Sequence, residues 1–278
     1  MVDLPPLTRT DLIELGRRIR IPQPLEATAP EPGQVWRAFW DETAALVVIL
    51  EANDISVRAA PFFFDFDDVA FEDEDQVTLA GRPAVVLWRH AQKIAPLTLD
   101  AVFGSVPLAG HGTRRPIIDE VLESQMTEPI DSLAAWTKDS EGDGTLRERL
   151  LELHVSPRQI AEALGKPLAV GANILRSKRP VTPEEAEALA TAVSLTANEI
   201  LSSNPTLPQQ WQDELQSAAY RSPVRELARQ RQKSDSETWR SVAYGAYALA
   251  ARQSNNREVG SVRARIHSYL RSELGRDG

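Results

Sequence analysis

Cysteine is absent from all 278 residues, which excludes disulfides, zinc–thiolate sites and thiol catalysis together. Histidine is nearly as scarce: His90, His111, His154 and His267 are scattered along the chain in a spacing that supports no metal site. No apolar run approaches the roughly 18 residues of a membrane span. The first ten residues hold two prolines and an acid but no apolar signal-peptide core. These gaps give the expectation of a cytoplasmic protein that needs no membrane, metal or cofactor. The residues present, 42% hydrophobic and 26% charged, make the composition of an ordinary globular chain long enough for two or three domains.

The net charge of −9 is unevenly spread. Residues 1–144 hold 12 basic and 25 acidic groups, residues 145–205 seven of each, and residues 206–278 12 basic against 8 acidic. A polyanion is repelled by such a front half and tolerated or attracted by the back half. Acids concentrate at Asp65, Asp67, Asp68, Glu72, Asp73, Glu74 and Asp75, seven within eleven residues. That segment lacks the spacing and central glycine of an EF-hand and reads as a solvated or partner-binding loop.

Hydrophobic patterning predicts an α+β, multi-domain chain: a small N-terminal β-barrel, an all-α helix-turn-helix, and a helical C-terminal region. Residues 1–31 form the expected helical extension, with Thr10 capping a helix that runs to Ile19. Residues 32–107 are the barrel, with strands at Val35–Trp40, Ala44–Leu50, Ile55–Phe64 and Ala84–Trp88. Single helical turns are expected at His90–Ile94 and Thr98–Phe103. Residues 108–144, dotted with proline and glycine, read as a linker carrying a short helix at Ile117–Ser124.

Residues 145–204 carry the clearest helical signals. Leu146, Leu150 and Leu153 share one face of a first helix. Ser156-Pro157 supplies an N-cap and a first-turn proline for a second, whose apolar face is Ile160, Ala161 and Leu164 before the stop at Gly165. A third spans Leu168–Arg176. Thr182-Pro183-Glu184-Glu185 starts a fourth with two acids at the positive dipole end, and Leu189, Ala192 and Val193 form its buried side. Thr196–Leu201 is a fifth.

This order, with Arg158-Gln159-Ile160-Ala161-Glu162-Ala163-Leu164-Gly165, Ile174-Leu175-Arg176 and Pro180-Val181-Thr182-Pro183-Glu184-Glu185, resembles the lambda-repressor-like (Xre-type) helix-turn-helix family. The resemblance implies that the third helix enters the DNA major groove and that its early residues read bases. Here those residues are Lys166, Pro167, Leu168, Ala169, Val170 and Gly171, and Asn173 is the first strong hydrogen-bonding side chain. Direct base readout is therefore thin. The expected DNA-contacting set is Arg158, Lys166, Asn173, Arg176, Lys178 and Arg179, its cations placed for phosphates.

The front domain also resembles a family. Pro32-Gly33-Gln34-Val35-Trp36-Arg37-Ala38, Ala45-Leu46-Val47-Val48-Ile49 and Val85-Val86-Leu87-Trp88-Arg89-His90 look like the skeleton of the MazF/PemK-type SH3-like barrel, whose usual activity is RNA cleavage. The resemblance places a phosphate-holding Arg before the second strand and a hydroxyl at the end of the third. Thr43 or Ala44 occupies the first position, and the second falls near Phe64 to Phe66. Arg82-Pro83-Ala84-Val85-Val86 echoes the family string before a different strand. A barrel so changed is expected to bind or dimerise rather than cleave.

In the C-terminal region Trp239, Val242, Ala243, Ala246, Leu249 and Ala250, then Val262, Ile266, Tyr269 and Leu270, recur at helical spacing. Tyr244 and Tyr247 border the first stripe, and Arg225, Arg229 and Arg231 form a basic face. The stripes read as core or as a partner surface.

Taken together, the two resemblances imply a DNA-binding transcriptional regulator rather than an enzyme. It would be a homodimer on double-stranded DNA and the controlling member of a toxin–antitoxin-like or stress-response gene pair. One alternative is an adaptor that uses the barrel and the helical domains, the helix-turn-helix among them, to bind proteins without DNA; in either case a partner protein could meet the acidic loop 65–75 or the C-terminal helices. The other is a MazF-like ribonuclease, which lacks its phosphate-holding Arg, its hydroxyl and an acid–base pair.

Overall fold

A computed structural model describes residues 29–64, 76–108, 120–139, 142–253 and 261–275. The expected helix at Thr10–Ile19 and the acidic segment 65–75 lie outside these residues. The chain is mixed α+β, a curled antiparallel sheet followed by helices, and it divides into two compact units, residues 1–137 and 138–278.

Among its described residues the first unit has seven strands: β1 (Gln34–Trp40), β2 (Thr43–Ala52), β3 (Val57–Phe64), β4 (Gln76–Leu79), β5 (Arg82–Val86), β6 (Gln92–Ile94) and β7 (Leu99–Ser105). Every pairing is antiparallel, in the order β4-β5-β3-β2-β1-β7, with β6 also on β3. β3 makes the curl. Its first half pairs with β2 and β6, while Phe62–Phe64 pair with Val86–Ala84 of β5. Register shifts in β1–β7 and β2–β3 add local twist. The concave side buries Val35, Val48, Ala60, Phe62 and Val86. β3 starts at Val57, later than the expected Ile55, because the Asn53 carboxamide oxygen accepts from the Ile55 and Ser56 N–H groups and holds them in a turn.

The first unit departs from other expectations as well. Trp88 lies in a short 3-10 turn, Trp88–His90, rather than in a strand. The turns expected at His90–Ile94 and Thr98–Phe103 give way mostly to β6 and β7, because pairing to β3 and β1 overrides their weak local pattern. The short helix expected at Ile117–Ser124 is part of α1, Glu120–Asp139, whose 20 residues run through Pro129. Packing explains its persistence: Met126, Ile130 and Leu133 are buried on one side, and Met126 joins Val85 of β5 and Leu87 just after that strand. Trp136 packs against Trp40 with the rings tilted by 41° and their centroids 4.4 Å apart. His90 Nε2 and Glu123 Oε1, 2.7 Å apart, and Gln92, donating to Asp131 at 2.8 Å, fix its rotation.

In the second unit α2 (Leu146–Glu152), α3 (Pro157–Ala163), α4 (Leu168–Leu175), α5 (Pro183–Ala190) and α6 (Ala197–Ser202) precede α7 (Gln209–Leu215), α8 (Arg221–Arg231), α9 (Asp235–Gln253) and α10 (Val262–Leu274). Leu146, Leu150, Ile160, Ile174, Val181, Ala186, Leu189 and Ile200 form the core of the first five. Leu153, expected beside Leu150, is exposed past the end of α2. Ala192 is also exposed, because α5 stops at Ala190. Trp239, Val242, Tyr244, Ala246, Ile266 and Leu270 are buried core of the last helices.

Two polar side chains bridge segments of the second unit that are far apart in sequence. Asn204, fully buried, accepts from the Val181 N–H and donates to the Val181 carbonyl, both at 2.9 Å. The Tyr244 hydroxyl accepts from the Gly142 N–H at 2.7 Å and donates to the Pro205 carbonyl at 3.0 Å. The boundaries drawn at 144/145 and 204/205 thus fall inside one compact unit.

Candidate nucleic-acid interface

α3 starts on a complete capping box. Ser156 Oγ accepts from the Gln159 N–H, and Gln159 Oε1 accepts from the Ser156 N–H. Its far end closes with the Gly165 N–H donating to the Glu162 carbonyl and the Lys166 N–H to the Ala161 carbonyl, with Gly165 at φ +60°. This is a Schellman turn. α2 and α4 end the same way, but their left-handed residues are His154 (φ +56°) and Ser177 (φ +53°). Three successive helices are therefore turned by one backbone device.

The crossing of α3 and α4 is close because residue 171 has no side chain. A Cβ there would lie 2.1 Å from the Pro157 carbonyl oxygen and 3.1 Å from the Ala161 nitrogen. Gly171, expected among the groove-facing positions, is thus buried packing, as is Ile174. Leu168, Ala169, Asn173 and Arg176 take the opposite, solvent-facing side. Leu168 is 59% exposed. Beside it Arg158, Ala161, Glu162, Gly165 and Lys166 line an open groove of about 510 Å³.

The six expected DNA-contacting residues separate into three groups. Lys166 and Arg179 both donate to Oε1 of Glu185, Arg179 from 2.5 Å. Glu185 is only 5% exposed, and its Oε2 accepts from the Thr182 N–H in the capping box of α5. Burial pushes this carboxyl up, but the bonds from Lys166, the Thr182 N–H and Arg179 outweigh it and hold it below the ordinary carboxylate value. Both cations are thereby committed to closing the fold. Arg158 forms an exposed pair with Glu162 at 2.8 Å on its own helix. Asn173, Arg176 and Lys178 are exposed and their side chains have no partner among the described residues.

Charge composition reveals the cations but not Glu185, whose partners lie 19 and 6 residues away. The capping-box spacing Thr182-x-x-Glu185 is the only local hint that this acid is held. The other basic face is likewise neutralised: Arg225 pairs with Asp235, Arg229 with Glu226 and Arg231 with Glu273.

In the first unit Arg82 lies over the Phe64 ring, 4.6 Å from its centroid, and Arg37 makes a two-pronged pair with Asp100 at 2.7 Å. Among the described residues no group of three or more His, Asp or Glu side chains is placed to hold a metal ion, and no helix is long and apolar enough to cross a membrane. No protein-family model, curated protein or solved structure matches this chain.

Proposed function

We propose that this chain is a DNA-binding transcriptional regulator. Its second unit would present α4 to the major groove of double-stranded DNA, and its first unit, read as an SH3-like barrel, would act as a binding or dimerising module. The observation that carries the reading is the exposed side of α4, which ends on Arg176 and is followed by Lys178, both unpaired among the described residues. Two cations at that end suit phosphates flanking the groove. The Gly171 crossing supports the reading because it fixes α4 rigidly on α3. Homodimerisation would double a small contact set, and control of a toxin–antitoxin-like or stress-response gene pair follows only from the barrel resemblance. Titration of the full chain into random-sequence duplex DNA at two salt concentrations tests it. Salt-weakened binding is expected, and no binding at low salt contradicts the reading.

A second reading is an adaptor that meets a protein through the helix-turn-helix. It is favoured by exposed Leu168, Leu151 and Leu153, at 59%, 49% and 40%, where a base-reading surface is usually polar. The C-terminal stripes no longer serve that reading, since they are core. The ribonuclease reading has the least support: Arg82 is stacked on Phe64 and Arg37 is held by Asp100.

A further inference from the structure

The exposed side of α4 is ordered by chemistry. Leu168 and Ala169 occupy its first turn, Asn173 its middle and Arg176 its end, over roughly 12 Å of helix. Leu168 and Ala169 have no hydrogen-bonding atom in their side chains. Set against a guanine or cytosine edge they leave base donors and acceptors dehydrated and unpaired, which is costly. The apolar group a standard base pair presents in the major groove is the thymine 5-methyl. Farther along, the Asn173 carboxamide has the donor–acceptor pair that matches adenine N6 and N7. Charge complementarity selects the polymer: Arg176 and Lys178 stand exposed and without a partner among the described residues at the end of the same helix.

We propose that α4 recognises thymine methyl groups, with Leu168 and Ala169 against the methyls and Asn173 on a neighbouring adenine, so that the preferred ligand is A·T-rich duplex DNA. This rests on the DNA-binding reading and adds the source of its selectivity.

The test compares four short duplexes with the full chain at low salt: alternating A·T, the same with uracil for thymine, alternating G·C, and the same with 5-methylcytosine for cytosine. Only a methyl differs within each pair. Thymine is expected to bind tighter than uracil by about fourfold per methyl buried, and 5-methylcytosine tighter than cytosine. The double variant Leu168→Gln/Ala169→Gln, at two exposed positions, is expected to keep the thermal transition and erase the thymine–uracil difference. Equal affinity for thymine and uracil duplexes, with salt-dependent binding intact, overturns the methyl assignment and leaves DNA binding standing. A difference that survives the double variant overturns its assignment to α4. Failure to bind all four overturns both readings and returns Leu168 to a protein-docking surface.

Discussion

Arg179 reaches Glu185 at 2.5 Å, although the sequence offers both as surface charges. The carboxylate that Arg179 and Lys166 share joins the α3–α4 turn, the segment after α4 and the start of α5. Removing the acid leaves two part-buried cations facing each other. Glu185→Ala is therefore expected to cost the second unit about 3 kcal/mol, read by urea unfolding. Arg179→Ala is expected to lower stability without changing the salt dependence of DNA binding.

The same carboxyl sets a pH dependence. Its folded-state value lies below the ordinary one, so its stabilisation is present above the unfolded-state value near pH 4.3 and is lost as pH falls through the folded value. Glu185→Gln is expected to flatten stability against pH in that acidic window. An unchanged acid limb contradicts the assignment.

Gly171→Ala drives a methyl into the Pro157 carbonyl oxygen. With backbone on both sides, neither helix yields cheaply, and a loss of at least about 2 kcal/mol is expected in denaturant melts. A neutral effect contradicts the close crossing.

His154 and Ser177 hold left-handed backbone that glycine adopts without strain. His154→Gly and Ser177→Gly are each expected to stabilise by about 0.5–1 kcal/mol, offset in part by the freer unfolded chain. Gly165→Ala, at the matching position of α3, is expected to destabilise by a similar amount.

Tyr244→Phe removes the acceptor of the Gly142 N–H and the donor to Pro205. Leaving those buried groups unpaired is expected to cost about 2 kcal/mol. Because helices α2–α6 and the later helices share one compact unit, calorimetry is expected to give one transition for residues 138–278, shifted as a whole by this change.

The features legible in the sequence are those written locally. Ser156, Thr182 and Thr196 each cap a helix with Gln or Glu three residues on, and all three capping boxes form. Strands β1 to β3 follow their apolar runs. The features that escape local reading depend on distant partners. Pro129 reads as a helix breaker until Met126, Ile130 and Leu133 find buried positions. β6 and β7 are strands because β3 and β1 supply their hydrogen bonds. In the candidate site, Arg176, Lys178 and Asn173 are as exposed as their polarity suggests, whereas Lys166 and Arg179 are claimed by an acid whose local capping-box spacing does not reveal its burial. His154 and Ser177 hide the turns that end α2 and α4, whereas the turn after α3 carries the usual residue, Gly165.

DNA binding by this chain stands or falls on whether Arg176 and Lys178, cations at the end of the solvent side of α4 that are unpaired among the described residues, meet phosphates. Affinity for one random-sequence duplex across a salt series, compared between the unaltered chain and Arg176→Ala/Lys178→Ala, decides it. The double variant is expected to bind more weakly, with a log–log salt slope shallower by about 1.8 if both cations neutralise a phosphate, and to unfold as the unaltered chain does. Identical slopes for the two proteins, or no binding by either at low salt, contradict the DNA-binding reading.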